Sequence, residues 1–331
     1  DLWALGVTGK DVLILNIDSG VANNHPALLR GIWNNPGEPD EDNGIDDDNN
    51  GFVDDNWGWD FGGNDNYPYD GGHGTNTAGI VMGTGEGNGD VKTGMAPKAI
   101  MAVSKISGEA AALASYQYAI TIGVDCVTSS HSWKWPSAPD YHAFRDAMVA
   151  ELAAGIIHAN SIGNQGNSTT SYPIPFNVSA PGNVPGPWDH PDQAFETAVK
   201  GASLGCAGVL LGGDELYTSS GQGPSAWEDI NNYTGWGHDQ DAAYWDHPVG
   251  GFGGPQPGIL KPDMCAYTNV ATTNGASGYT SSFGGTSAAT PHLGGALCLM
   301  IDANPAIPPR QISQALQETA LDLGPPGKDL R

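Results

Sequence analysis

Hydrophobic runs alternate with segments of helical periodicity along this chain. Five runs of mostly aliphatic and β-branched residues have the length of strands buried on both faces; they are residues 11–18, 99–106, 124–130, 155–162 and 206–213. Helical spacing is found in His73–Met82, Glu109–Ile122, Tyr141–Ala154, the run after Ser287, and Pro309–Leu321. This alternation predicts an α/β fold with a central, mostly parallel β-sheet and helices on both faces.

Two regions interrupt the alternation. Residues 36–72 are acidic and rich in Asn and Gly, and residues 214–258 are rich in Gly, Trp and Asp without clear periodicity. Both are typical of long surface excursions rather than of separate domains. A length of 331 residues suits one large domain or two small ones. We therefore expect a single domain over residues 1–331 that carries these two insertions.

Composition and charge narrow the possible partners. The chain is 39% hydrophobic and can bury a sizeable core, and its formal net charge is −25. A polyanion of this size repels nucleic acid and anionic membranes, so neither is an expected partner. No apolar run reaches the roughly 18 residues needed for a membrane span. The acidity fits a secreted protein in saline or calcium-containing surroundings.

The four cysteines are far apart and form no CxxC pair, which argues against a zinc site. Three of them lie in apolar runs, so they are either small buried hydrophobic side chains or disulfide partners. Three full pairings are possible, and the sequence does not choose among them. The four are Cys126, Cys206, Cys265 and Cys298.

Polar residues stand at the ends of predicted core elements, where an α/β sheet forms its site. Asp18 ends the first strand, Asn164 follows another, and His73 opens a glycine-flanked helix. Ser287 lies between glycines and the first turn of an apolar helix. The alternative to a chemical role is that Ser287 or Thr286 serves only as the N-cap of this helix. Together Asp18, His73 and Ser287 form the set required for nucleophilic acyl transfer. Asn164 and the Ser287 N–H would bind the oxyanion.

These motifs carry a family resemblance that covers nearly the whole chain. The order DSG at Asp18, HGTNTAG at His73, GN at Asn164 and GTSAATPH at Ser287 resembles the subtilisin-like serine proteases (subtilases), in particular the bacillopeptidase F-like group. The resemblance implies a subtilisin-like fold, secretion, and endopeptidase activity on protein or peptide substrates. Because the chain opens at Asp1 in mid-pattern, we also expect an N-terminal propeptide that this sequence does not contain.

The resemblance also indicates where a substrate would bind. The segment Ser129–Trp135 matches the stretch that pairs with the substrate backbone by strand addition. Its expected contacts are Ser132, Trp133 and Lys134, together with Gly163 beside the oxyanion residue. Lys134 stands where the family usually has a small residue such as Gly, so we expect a different specificity pocket.

The acidic excursion contains the front half of an EF-hand-like calcium loop. Its pattern D-x-D-x-N-G-F-x-D predicts structural Ca²⁺, whereas a solvated acidic loop is the alternative. Trp57 occupies the twelfth position, where a glutamate is expected, so Asp55, Asp40 or Glu38 would complete the oxygen shell. The predicted ligands are Asp46, Asp48, Asn50, Phe52 through its carbonyl, Asp54 and Asp55. A second metal is a weaker hypothesis for His190, His238 and His247, which neighbour carboxylates.

Three rival functions compete with a serine endopeptidase. A serine–carboxyl peptidase of the sedolisin type has a glutamate base, and His73 in HGT argues against it. An esterase with the same triad is the second rival, but the chain lacks the G-x-S-x-G elbow. The rival from another class is a catalytically silent, calcium-stabilised binding module with the same fold.

Overall fold

The computed structural model describes most of the chain and divides it into two compact units. The described residues are 2–39, 42–87, 93–134, 137, 139–193, 196–197, 199–212, 215–226, 249–251, 254–256, 259–324 and 326–328. The first unit comprises Asp1–Ser130, Val270–Phe283 and Pro291–Ile307; the second comprises His131–Asn269, Gly284–Thr290 and Pro308–Arg331.

Four parallel strands form the sheet of the first unit, in the order β2-β3-β1-β4. They are β1 (Leu13–Asp18), β2 (Gly58–Asp60), β3 (Ile100–Lys105) and β4 (Cys126–Ser129). In the interior strand β1, Ile14 lies opposite Met101 of β3 and Cys126 of β4. Ile14, Leu15 and Ile17 are fully buried. Because successive side chains of a strand point to opposite faces, both faces of β1 are covered, and its sequence is a continuous apolar run.

Helices and a hairpin complete the first unit. The helices are α1 (His73–Met82), α2 (Glu109–Thr121) and the later part of α4 (Thr286–Ala303), and the hairpin joins β10 (Val270–Asn274) to β11 (Gly278–Phe283). Side-chain hydrogen bonds tie α1 to β10. Among them, the Asn76 amide donates to the Thr273 carbonyl at 2.6 Å, and the Thr273 hydroxyl donates to the Thr75 carbonyl at 2.6 Å.

The second unit has three parallel strands in the order β5-β6-β9. Its elements are α3 (Tyr141–Ala153), β5 (Ile157–Ser161), β6 (Ser203–Leu210), the hairpin of β7 (Val249–Gly251) and β8 (Gly254–Gln256), β9 (Met264–Thr268), the first turn of α4, and α5 (Pro309–Thr319). Ser161 on β5 lies opposite Cys206 on β6, and Cys206 lies opposite Met264 on β9.

The predicted α/β class is confirmed by seven parallel strands and five α-helices among the described residues. Strands β2 and β9 and the β10–β11 hairpin were not predicted from the sequence, and β6 begins at Ser203, three residues before the predicted start at 206. Most of the predicted 214–258 excursion lies outside the described residues, and the single-domain organisation stays a prediction. In the part of the chain that the structure describes, no helix has the length and apolarity to cross a bilayer.

All four cysteines are free thiols in the structure, and all but Cys265 are buried. The Cys126 and Cys298 sulfurs lie 3.8 Å apart, too far for a disulfide bond. This arrangement agrees with the interpretation of the cysteines as small apolar side chains.

Candidate active site

A buried carboxylate and a histidine meet in the first unit. Asp18 ends β1 and is 4% exposed, whereas the side chain of His73, the first residue of α1, is 40% exposed. The His73 Nδ1 lies 2.7 Å from the Asp18 Oδ1, which also accepts the Ser19 N–H at 2.7 Å. A carboxylate only accepts hydrogen bonds, so Nδ1 carries the proton and the Nε2 lone pair is left to accept one.

The close approach of α1 to the end of β1 depends on Gly74. A Cβ at this position would lie 2.2 Å from the Gly20 carbonyl oxygen and 3.0 Å from the Asp18 Cβ. Two further hydrogen bonds hold the first turn of α1 on this loop: the Gly74 N–H donates to the Ser19 hydroxyl at 3.1 Å, and the Ala22 N–H donates to the Thr75 hydroxyl at 2.8 Å. The glycine in HGT therefore serves backbone packing that places His73 against Asp18.

Opposing influences act on the charge of His73. Burial disfavours the imidazolium, but the hydrogen bond to Asp18 and the charges of Asp18 and Asp70 outweigh it, so the pKa of His73 is raised above its ordinary value. Phe283, at the end of β11, packs edge-on against the imidazole with ring centroids 5.1 Å apart. The ring is thus positioned on two sides and remains accessible.

An amide is oriented in a comparable way in the second unit. The Asn164 Oδ1 accepts hydrogen bonds from the Thr286 N–H at 2.8 Å and the Thr286 hydroxyl at 3.3 Å. With Oδ1 so engaged, the Nδ2 group of this exposed residue has no hydrogen-bond partner among the described residues and is available as a donor. Gly285 has φ +81°, and a Cβ there would lie 3.1 Å from Asn164 Oδ1. The glycine therefore lets the loop before α4 lie against the Asn164 amide.

Ser287 is the second residue of α4 and is half-buried. Thr286 bonds to Asn164 and, through its carbonyl, accepts the Thr290 hydroxyl at 2.8 Å. The preceding Gly285 carbonyl accepts the Thr268 hydroxyl at 2.8 Å. The structure thus brings Asp18 together with His73 in the first unit, and Asn164 together with the start of α4 in the second.

The predicted substrate segment lies in the second unit. Trp133 forms an isolated antiparallel bridge with Ala180 through hydrogen bonds of 3.1 and 2.7 Å, and its ring stacks on Phe144. Because both Trp133 backbone groups are engaged, pairing with a peptide would have to use its neighbours. Ser132 is exposed, whereas Lys134 is 6% exposed with its amine beside Gly163.

Three carboxylates of the acidic loop could hold a cation together. Oxygen atoms of Glu38, Asp46 and Asp48 all lie within 4.8 Å of one another. Glu38 is 2% exposed, and its Oε2 is buried without a hydrogen-bond partner. Burial raises the pKa of Glu38, and the nearby charges of Asp48 and Asp55 raise it further against two backbone hydrogen bonds. An all-oxygen set with an unsatisfied buried carboxylate fits Ca²⁺.

The other predicted ligands have partners around this cluster. Asp55 is fully buried and accepts the Tyr118 hydroxyl at 2.6 Å and the Asn35 amide at 2.7 Å. The Asn50 amide lies 3.2 Å from Asp48 and from Asp55. Asp54 instead accepts the amides of residues 43 and 44. Asp40, named as a possible ligand, lies outside the described residues.

Aromatic side chains anchor the acidic loop to α2. Phe52 packs edge-on against Trp59 and Tyr118, with ring centroids 5.2 and 4.8 Å apart. Trp59 is 7% exposed, and Tyr118 is fully buried. Phe52 therefore fixes the acidic loop to β2 and α2 through aromatic contacts.

The second metal hypothesis gains no support from the described residues. His190 lies 3.5 Å from Asp192, and burial with the charge of Lys328 lowers the pKa of His190. His238 and His247, its proposed partners, lie outside the described residues.

Several site residues escaped the sequence analysis. Thr286 and Thr268 fix the loop and amide beside Ser287, and Phe283 packs on His73. Hydroxyl-bearing and aromatic residues before a helix carry no specific signal, although Thr286 was noted as a possible cap. The burial of Lys134 was missed because lysines are usually exposed.

Comparisons with known proteins show the family of this chain. The subtilase family model matches residues 9–331. Bacillopeptidase F of Bacillus subtilis is 26% identical over 96% of this chain, and the major intracellular serine protease of the same organism is 27% identical over 56% of it. The matches span only 19% and 54% of those two proteins.

A solved structure supports the fold independently. The crystal structure of a cold adapted subtilisin-like serine proteinase aligns with a TM-score of 0.60 and 17% identity, covering 95% of this chain and 83% of that one. The likeness shows a subtilisin-like fold, as the motifs implied. The family match and the two protease relatives support a serine peptidase in general terms. This chain belongs to the subtilase family.

Proposed function

We propose that the protein is a serine endopeptidase that hydrolyses peptide bonds through an acyl-enzyme. The observation that carries the proposal is the 2.7 Å hydrogen bond between buried Asp18 and accessible His73 at the start of α1, in a chain of the subtilase family. It supplies a histidine whose Nε2 can accept a proton and whose cationic form has a carboxylate beside it.

In the proposed reaction, Ser287 Oγ attacks the peptide carbonyl carbon while its proton passes to His73 Nε2. The oxyanion accepts hydrogen bonds from Asn164 Nδ2 and from the Ser287 N–H at the positive end of the α4 dipole. Collapse of the intermediate breaks the C–N bond, and the leaving amine takes the proton from His73. Water then hydrolyses the acyl ester by the same proton transfers, which regenerates Ser287 and releases the acid product.

Extended substrate binding is part of the same proposal. Since Trp133 is bonded to Ala180, the alternation of a strand directs the backbone groups of Ser132 and Lys134 to the opposite side. Of these groups, the Lys134 carbonyl already accepts the Ser137 N–H at 3.0 Å, which leaves the Lys134 N–H and the Ser132 groups for a peptide. A peptide could add there as a further strand.

Structural calcium is the proposed role of the acidic cluster. Glu38, Asp46 and Asp48 would provide carboxylate oxygens, with Asn50, Asp54, Asp55 and the Phe52 carbonyl as the further predicted ligands or their supports. A bound divalent cation would offset the repulsion among these carboxylates and hold the loop against α2. Secretion and a propeptide are proposed from the acidity and the family resemblance; detection of the mature chain in culture medium but not in lysate tests secretion.

Labelling with a serine-directed fluorophosphonate tests the catalytic proposal. We expect stoichiometric labelling of the wild type, loss of labelling in Ser287→Ala, and strong slowing in His73→Ala, together with hydrolysis of casein. A folded, calcium-loaded protein that neither labels nor cleaves casein would instead be the silent binding module.

A further inference from the structure

Lys134 is a buried lysine that has no anionic partner among the residues the structure describes. It is 6% exposed, and its amine donates one hydrogen bond, to the Asn177 carbonyl. The amine also lies 5.7 Å from the centroid of the Tyr172 ring, on its face. Among the described residues no carboxylate forms an ion pair with it, unlike buried Lys261, which pairs with Asp263. An ammonium offers three donors, so two are not used by any described residue.

The surroundings hold the amine in one place. The Asn177 side chain is fully buried and donates to the Gln165 carbonyl at 3.0 Å and the Tyr172 carbonyl at 2.5 Å. Gly163 has φ +87°, and a Cβ there would lie 2.7 Å from the Lys134 amine and 2.5 Å from the Ser179 hydroxyl. The absence of a side chain at 163 therefore gives the amine its space beside the backbone that leads into Asn164.

The environment disfavours the free ammonium. Burial lowers the pKa of Lys134 to about 7. Tyr172 is a titratable side chain that faces the amine, and within the described part of the chain no carboxylate compensates for the lost hydration of the amine. A carboxylate that entered the site would form a charge-assisted hydrogen bond with a preorganised donor and would restore the charged form.

We propose that Lys134 selects substrates with an acidic side chain, Asp or Glu, on the residue that supplies the scissile carbonyl. This inference rests on the proposed function. If Asn164 holds the scissile carbonyl as proposed, the side chain of the residue that carries this carbonyl would lie next to Gly163. The Lys134 amine adjoins the same glycine. Lys134 also belongs to the segment along which the substrate backbone would pair, so the amine lies within reach of that side chain.

The test compares two fluorogenic peptides that differ only by Glu or Gln at the residue before the cleaved bond. The wild type should show a kcat/KM about 10- to 100-fold higher for Glu at pH 6, as expected for one charge-assisted hydrogen bond. In Lys134→Met and Lys134→Gln the ratio should fall to about 1. Lys98→Met, at an exposed lysine, is the matched control and should retain the wild-type ratio.

The pH dependence of this ratio separates charge recognition from a structural role. The Glu carboxylate is ionised above about pH 5, and the free Lys134 amine is protonated below about 7. The Glu/Gln ratio should therefore be highest between these values and fall by up to tenfold per pH unit above 7. Ionisation of His73 affects both peptides alike and cancels in the ratio.

Binding to Ser287→Ala, measured by calorimetry with the same two peptides, needs no turnover. Tighter binding of the Glu peptide, lost in the Ser287→Ala/Lys134→Met double variant, supports the inference even if the wild type proves inactive. Equal binding of both peptides, or a wild-type ratio near 1 with active turnover, overturns it. Failure of fluorophosphonate labelling would count against the proposed hydrolase alone.

Discussion

Substitution of Gly74 by Ala probes whether backbone packing at the start of α1 sets the catalytic geometry. The new Cβ would lie 2.2 Å from the Gly20 carbonyl oxygen, whereas a relaxed C···O contact needs about 3.3 Å. Either backbone must therefore move by about 1 Å. The 2.7 Å hydrogen bond between His73 and Asp18 spans these same two segments, and a displacement of that size would lengthen it beyond hydrogen-bonding distance. Misplacement by about 1 Å can lower the rate by roughly 100-fold, and overpacking destabilises by about 1–3 kcal/mol.

We expect Gly74→Ala to reduce kcat/KM for a peptide substrate by about 100-fold under conditions in which the variant is folded. Urea unfolding followed by circular dichroism measures the accompanying loss of stability. Gly108→Ala is the matched control. Gly108 also lies at the start of a helix, as the N-cap of α2, but a Cβ there would have no neighbour within 4 Å. Wild-type kcat/KM in a Gly74→Ala variant of native stability would refute the argument.

The remaining predictions concern protons, the oxyanion and the cation. Because His73 must be neutral to act as a base and its pKa is raised, kcat/KM should fall as the pH falls, with a midpoint above 6.5 in a pH–rate profile. Asp18→Asn should move that midpoint down; an unchanged midpoint would contradict the pairing. Asn164→Ala should lower kcat by about 10²–10³-fold with little change in KM. If a folding-defective variant loses as much kcat as Asn164→Ala, that result would count against an oxyanion role. Removal of calcium by EGTA should lower the melting temperature, since calcium at 100 times Kd contributes about 2.7 kcal/mol. Glu38→Gln should abolish this effect of calcium on the melting temperature, and Asp47→Asn should not. If EGTA does not change the melting temperature of the wild type, calcium binding by the cluster is contradicted.

The sequence predicted best where local pattern and tertiary environment agree. The bounds of α1 were predicted without error, because glycines flank an apolar segment with helical spacing. Strand β1 was recognisable since burial of both faces requires an unbroken apolar run. Strand β2 has only three residues and lies within the acidic excursion, so its pairing with β3 has no local signal. Strand β9 was missed because it follows the polar Lys-Pro-Asp segment and includes a tyrosine that is partly exposed.

The candidate site likewise contains residues with a local sequence signal and residues without one. Asp18, His73 and Asn164 were predicted as site residues from their positions at the ends of core elements, where an α/β sheet forms its site. The contacts that orient them come from residues distant in sequence: Thr286 lies 122 positions from Asn164, and no periodicity links such a pair. Lys134 illustrates the limit most clearly, because its burial depends on Asn177 and Tyr172 closing around it.

The aromatic contacts of the acidic loop provide an intrinsic fluorescence probe of this loop. Trp59 is shielded from water and contacts Phe52, a residue of the loop itself. If the loop loosens when its cation leaves, this indole becomes hydrated, and its emission should shift to longer wavelength. Trp59→Phe would remove that component of the spectrum while keeping an aromatic ring in place. Cation exchange could then be followed in real time in an otherwise unlabelled molecule, before any loss of the fold.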